Sequence, residues 1–199
     1  MLKPDNAKPI EPLGRALEAM VEAFVRALDV REREPAGHTS FLAETTVRLA
    51  DAYGISQADL ANIKLGSLLH DIGKMSIPES ILLKPAPLTE LEMAIIRKHP
   101  QYAYDLLSPI TYIAPALDIP YCHHELWEGT GYPKGLKEKQ IPIAARIFAV
   151  VDVWDALCSD RPQRKAWPEE KALEYIQALS GVYFDPQVVE IFMQMHKKA

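Results

Sequence analysis

The sequence predicts a single all-α domain, a compact multi-helix fold. Three observations carry that expectation. Apolar residues recur at helical spacing in one segment after another, the breaks fall at Gly, Pro, Ser or Thr positions suited to helix ends, and no segment alternates as a strand does. At 199 residues the chain is long enough for one full core and short for two. No internal repeat divides it.

Residues 1–10 are polar and carry Pro4 and Pro9, so they read as a flexible lead-in to one domain over 11–199. From Leu13 the positions Leu17, Met20, Val21, Phe24, Val25 and Leu28 predict a helix of about five turns, ending near Arg31-Glu32-Arg33-Glu34 and Pro35. That charged run reads as a solvated face, with Glu34 the exception. A second helix is predicted over 38–53, stopped by Gly54, and Ser56 opens a third that carries His70-Asp71 in its last turn. The segment 75–88 holds three prolines and reads as a loop. Thr89 with Glu92 forms a capping box for a helix that reaches His99 and stops at Pro100. Helices at 101–107 and 112–124, a loop over 125–141, and a mostly buried helix from Pro142 to about residue 158 follow. Pro168 and Pro186 open the last two helices.

The composition, 48% hydrophobic and 25% charged, is that of a soluble globular protein. No stretch is apolar enough to span a bilayer and the first residues contain no signal-peptide core, so a cytoplasmic location without membrane attachment is expected. Two cysteines, Cys122 and Cys158, make no disulfide framework. A net charge of −5 argues against binding long nucleic acid, yet leaves room for a small phosphorylated ligand held by local cations.

The chemistry lies in eight carboxylate and imidazole residues: Glu34, His38, His70, Asp71, His99, His123, His124 and Asp152. Glu34 and His38 are four apart, one helical turn. Asp71 follows the apolar run Leu65–Leu69, where an unpaired carboxylate would be costly, and Asp152 lies inside Phe148–Trp154 under the same constraint. Two adjacent imidazoles at His123-His124 would repel once charged, and a metal keeps both neutral. Each residue alone has a bland reading, His99 as a helix-end histidine for example. Together, and without sulfur, they suggest two or three divalent ions and hydrolytic chemistry. Asp155 is read as a residue that supports the ligands from behind, or as a cap.

His70-Asp71-Ile72-Gly73-Lys74 and Gly131-Tyr132-Pro133 resemble the two name-giving motifs of HD-GYP domains. The likeness extends to Gly37-His38, to His123–Leu136, to Ile141–Leu157 with Ser159-Asp160-Arg161-Pro162, and to Phe184-Asp185-Pro186, covering about residues 12–195. It implies an HD-type domain with a buried multinuclear metal site, in a phosphodiesterase that hydrolyses cyclic di-GMP to linear pGpG and in some members on to GMP. It also implies that the eight residues above are metal ligands, with Asp71 bridging and Glu34 raising two ions to three, and that iron or manganese is the metal. Lys74 is the residue expected at the scissile phosphate, with Asp71 beside it in the catalytic centre, and Arg161, Arg164 and Lys165 are expected to hold substrate phosphates. Glu32 and Glu128 stand where many members have aspartate, and neither is an expected ligand. The Gly131-Tyr132-Pro133 loop reads as a pocket edge, a protein-contact surface or a plain structural turn, and contact with diguanylate cyclases is a further implication. Two alternatives stand beside this. One is an HD-type nucleotide phosphohydrolase using only His38, His70, Asp71 and Asp152, and the other is a non-catalytic cyclic-dinucleotide-binding or interaction module. The oligomeric state is left open.

Overall fold

The computed structural model describes residues 10–35, 37–160 and 164–197, with side chains from residue 19 onward. Ten α-helices are present among these residues: α1 Ile10–Glu32, α2 His38–Tyr53, α3 Gln57–Leu68, α4 Glu79–Leu82, α5 Glu90–Ile96, α6 His99–Leu107, α7 Asp118–Cys122, α8 Ile143–Cys158, α9 Glu169–Ala178 and α10 Pro186–Lys197. Short 3-10 turns occupy Ile72–Ser76, Ala114–Ala116 and Glu138–Gln140. No strand occurs among the described residues, so the all-α expectation holds. No described helix is long and apolar enough to cross a membrane.

Local rules set several boundaries. Gly54 closes α2 in the left-handed conformation (φ 96°), returning its N–H to Ala50 and Asp51 carbonyls. The Ser56 hydroxyl caps α3 through the Asp59 N–H, and Thr89 with Glu92 completes a reciprocal capping box on α5.

Elsewhere the expectations need correction. Helix α1 starts at Ile10 rather than Leu13, because Pro12 is tolerated in a first turn. Among its apolar positions with described side chains, Val21, Val25 and Leu28 are buried, while Met20 and Phe24 are each 56% exposed. Helix α3 ends at Leu68, so His70 and Asp71 lie past its terminus, in the turn into the 3-10 segment. The loop predicted over 75–88 contains the end of that 3-10 segment and the single turn of α4. Pro100 does not halt a helix at His99. It sits in the first turn of a new one, where no N–H is needed. The stretch 112–124 is broken into a 3-10 turn and the short α7, consistent with Pro115 and Pro120 interrupting a continuous ladder.

Two apolar clusters form the interior. The larger joins Leu42, Leu49, Ile63, Ile147, Phe148, Val150, Val151, Ile176, Val188 and Phe192, with α8 through its middle. The smaller joins Val21 and Val25 of α1 to Leu69, Ile72, Ala103, Leu107 and Ile113. His70 and Asp71 fall between Leu69 and Ile72 of the smaller cluster, and the Phe148 ring of the larger one lies 4.8 Å from the His70 ring. The motif is thus wedged between two cores.

Gly73 makes that wedge possible. A Cβ there would lie 2.6 Å from the Ala103 nitrogen and closer still to the His99 carbonyl, so only glycine lets the 3-10 segment press against α6. We expect Gly73→Ala to destabilise the fold by at least ~2–3 kcal/mol, read as a lower urea midpoint with an unchanged slope. An unchanged midpoint would show that α6 moves aside freely.

Candidate metal centre

Each candidate histidine stands at a helix end. His38 opens α2, His70 follows α3, His99 opens α6, and His123 is the C-terminal cap of α7 with His124 next to it. Asp152 alone comes from a helix interior, in α8. The structure brings Asp71, His99, His123 and His124 together, with one donor atom of each within 4.8 Å of the others. The Asp71 carboxylate is the hub. Its Oδ1 lies 3.2 Å from His99 Nε2 and 3.9 Å from His123 Nε2, while its Oδ2 lies 3.1 Å from His70 Nε2 and 2.6 Å from Lys74 Nζ.

Glu34, His38 and Asp152 lie outside that tight group but line the same cavity of about 140 Å³, together with His70, Asp71, Lys74, His123 and His124. His38 Nε2 is 3.9 Å from Glu34 and 3.4 Å from Asp155, so both carboxylates meet the same ring nitrogen.

Hydrogen bonds determine which ring nitrogens can act as ligands. The Nδ1 atoms of His70, His99 and His123 lie 2.8, 2.8 and 2.9 Å from the carbonyls of Ser67, Ile96 and Ile119. A carbonyl only accepts, so each Nδ1 is the protonated nitrogen and donates to it. In neutral His99 and His123 the Nε2 lone pairs therefore face inward, 3.3 Å from one another and toward Asp71 Oδ1. That oxygen is buried and has no hydrogen-bond partner. Converging acceptors without a proton between them are repulsive, and a cation is the species that reconciles them. The donor set, imidazole nitrogen and carboxylate oxygen, fits a borderline divalent ion. Cys122 takes no part: burial pushes its thiol up to about 12, and it packs beside Ile141 and Ala145.

Burial holds His99 and His123 below the usual histidine range and pushes His124 down to about 3, so all three are neutral near neutral pH. His70 differs. Burial alone would lower it, but the Asp71 carboxylate overrides that effect and pushes it up to about 9. Burial also works against the Asp71 carboxylate, yet Lys74 and His70 hold it well below its ordinary value. The Asp152 carboxyl is raised by burial.

The structure adds residues that the pattern of motifs misses. Glu32, expected on a solvated face, lines the cavity and binds Lys74 Nζ at 2.8 Å. Its Oε1 is buried without a hydrogen-bond partner. Neighbouring Arg31 donates to the carbonyls of Lys74 (2.7 Å) and Ile77 (2.5 Å), so it too leaves the solvated face. Asp29 also lines the cavity and accepts from Thr39 at 2.6 Å. A signal existed: Val21, Val25, Leu28 and Glu32 share one helical stripe, which carries the buried face of α1 into the cavity.

Of the three expected phosphate-binding residues, Arg161 lies outside the described residues. Arg164 and Lys165 do not line the cavity. The Arg164 guanidinium donates to the carbonyls of Ala156 and Leu157 at the end of α8, and to Lys165. The Lys165 side chain is 91% exposed and pairs with Asp160. Tyr132 stacks on the His124 ring with centroids 4.7 Å apart, so the Gly131-Tyr132-Pro133 loop packs behind an imidazole that lines the cavity.

Imidazoles and buried carboxylates wedged into one cavity of a helical domain form a donor set that suits divalent metal ions. The HD domain profile matches residues 16–188, and the chain belongs to the HD domain family. It is 40% identical over 174 residues to a cyclic di-GMP phosphodiesterase of Thermotoga maritima, covering 85% of this chain and 47% of the relative. It is 36% identical over 192 residues to the 3'3'-cGAMP-specific phosphodiesterase 2 of Vibrio cholerae, covering 96% of this chain and 37% of the relative. The chain thus spans less than half the length of these curated relatives. A solved HDG"Y"P protein from Bdellovibrio bacteriovorus shares the fold with a TM-score of 0.66 at 22% identity, over 80% of this chain and 51% of that one. The HD-GYP likeness of the motifs agrees with these findings.

Two predictions follow from the geometry. Asp71→Asn keeps the side-chain shape and removes the charge, so bound metal should fall to background in elemental analysis while helical circular dichroism is retained. Full metal content would show that the imidazoles suffice alone. Metal binding should also depend on pH. His70, raised to about 9 without metal, is protonated at neutral pH and must lose that proton to offer its lone pair. Affinity should therefore fall roughly tenfold per pH unit below that value, with protons released on binding. Calorimetry in buffers of different ionisation enthalpy reads the release, and zero protons would remove His70 from the ligand set.

Proposed function

We propose that this domain is a cytoplasmic, metal-dependent phosphodiesterase that opens the ring of cyclic di-GMP to linear pGpG. The observation that carries the reading is the hub at Asp71, where a buried carboxylate oxygen without a hydrogen-bond partner meets inward-facing imidazole nitrogens. The names of its relatives supply the substrate class. Iron or manganese suits the nitrogen and oxygen donors that Glu34, His38, His70, Asp71, His99, His123, His124 and Asp152 would supply. Metal held by these residues would lower the pKa of a water toward neutrality and would so supply the nucleophile.

The chain's own residues do the rest. Water oxygen adds to phosphorus, the P–O3′ bond breaks, and the 3′-oxygen leaves with a proton. A phosphodiester is already anionic, so its approach needs fixed positive charge. Lys74 provides it: the carboxylates of Asp71 and Glu32 hold its ammonium at 2.6 and 2.8 Å and keep it charged, leaving a third N–H for a phosphoryl oxygen. Glu32 and Asp71 thus fix a cation in place before substrate arrives, which lowers the reorganisation needed in the transition state.

The alternative of a one-ion nucleotide phosphohydrolase requires only His38, His70, Asp71 and Asp152. It leaves His99, His123 and His124 without a task, although all three lie with Asp71 in the tight group. A second cyclic dinucleotide, 3'3'-cGAMP, is favoured as an additional substrate by the relatives named for it.

The decisive assay incubates anaerobically purified, metal-analysed protein with cyclic di-GMP, 3'3'-cGAMP and a panel of nucleoside mono- and triphosphates. Linear dinucleotide from the cyclic substrates alone is expected, and chromatography separates pGpG from GMP. Turnover of mononucleotides only would overturn the reading. Lys74→Met should retain metal and lose about 10²–10³-fold in kcat, and loss of metal in that variant would place Lys74 in a different role.

A further inference from the structure

We infer that Glu125 is a positioning residue whose carboxylate clamps the Gly131-Tyr132-Pro133 loop so that Tyr132 fixes the ring plane of His124. The inference rests on the metal-centre reading above and extends it to a residue and a task outside the two motifs. Its starting point is a difference among the site histidines. His70, His99 and His123 each have Nδ1 anchored on a backbone carbonyl. Among the described residues His124 has no such anchor, and the contacts seen for its ring are with His99, His123 and Tyr132.

The Tyr132 ring lies nearly parallel to that of His124, at 25° and 4.7 Å between centroids. The Tyr132 N–H donates to the His124 carbonyl at 3.1 Å, so the two residues are joined by both backbone and side chain. Stacking fixes a ring plane where a hydrogen bond does so elsewhere. On Tyr132 itself the Arg97 guanidinium sits 5.7 Å from the ring centroid.

Tyr132 can hold that place only if its loop is folded back, and Glu125 folds it. Glu125 is 2% exposed, and its two oxygens accept the N–H groups of Lys134 at 2.7 Å and Leu136 at 2.9 Å. A buried carboxylate at this position has a stereochemical logic. It offers two acceptors and no donor, and the two N–H groups it meets would otherwise be unsatisfied. Gly131 completes the fold-back: a Cβ there would lie within 2.5 Å of the Glu125 Cα and the His124 carbonyl.

Mn²⁺ titration of purified, metal-stripped protein tests this, with histidine ring NMR on the metal-free form as a readout independent of activity. Tyr132→Phe keeps the ring and should bind like wild type, with His124 ring protons still shifted upfield. Tyr132→Ala should lose that shift and bind the weakest-held ion ~10–100-fold less tightly. Glu125→Gln offers one acceptor in place of two and should show the same loss in affinity and shift. The double variant should be no worse than Tyr132→Ala, because both changes break one chain of contacts. Wild-type affinity in Tyr132→Ala, or a Glu125→Gln protein that loses only thermal stability, overturns the inference. Wild-type protein that binds no Mn²⁺ overturns the metal reading alone, and the NMR shifts of the metal-free form then decide whether the clamp sets the ring.

Discussion

The burial of the Asp71 carboxylate is the constraint on which the rest of this structure depends. A lone carboxylate in that position would carry a penalty of several kcal/mol. The fold meets that penalty from two sides. Oδ2 receives Lys74 and protonated His70, while Oδ1 faces imidazole lone pairs. Only the first side is balanced by the chain's own charges. The second is built for a cation, and it is held in shape by packing rather than by attraction among its members.

That packing explains the helix ends. Each of the three anchored imidazoles hydrogen-bonds one of the last four carbonyls of a helix, in α3, α5 and α7. Such carbonyls lack intrahelical partners or have spare acceptor capacity, so they can fix a histidine tautomer at little cost to the helix. Short helices broken by prolines supply many such termini close together. A bundle of a few long helices would not. The close approach of α6 at Gly73 then brings His99 against Asp71.

The sequence makes the helices and the ligand types legible, because both rest on local rules. The limits 38–53 for α2 follow from apolar spacing and Gly54, and the α5 start follows from Thr89 and Glu92. Arg31 is not legible in that way, and Glu32 is legible only as the end of the apolar stripe of α1. A run of four charges normally faces water, and only the tertiary approach of the Lys74 segment turns two of them inward. Arg164 is hidden for a similar reason: a basic residue beyond a helix end can meet either a ligand or the helix carbonyls, and spacing does not distinguish them. The contrast between anchored His123 and stacked His124 is equally invisible in the sequence, since it depends on a loop returning eight residues later.

Charge sets the order in which such a site can work. Five carboxylates line the cavity, those of Asp29, Glu32, Glu34, Asp71 and Asp152, against the Lys74 ammonium and protonated His70. Even with Asp152 and Glu32 raised by burial, the lining remains negative, which repels a dianionic cyclic dinucleotide. Cations reverse that sign locally, without any need for a basic protein surface. The net charge of −5 is therefore compatible with a phosphodiester substrate. On the proposed function, the same acids that would hold the ions would repel the substrate until the ions are present, so metal content would control binding as well as chemistry.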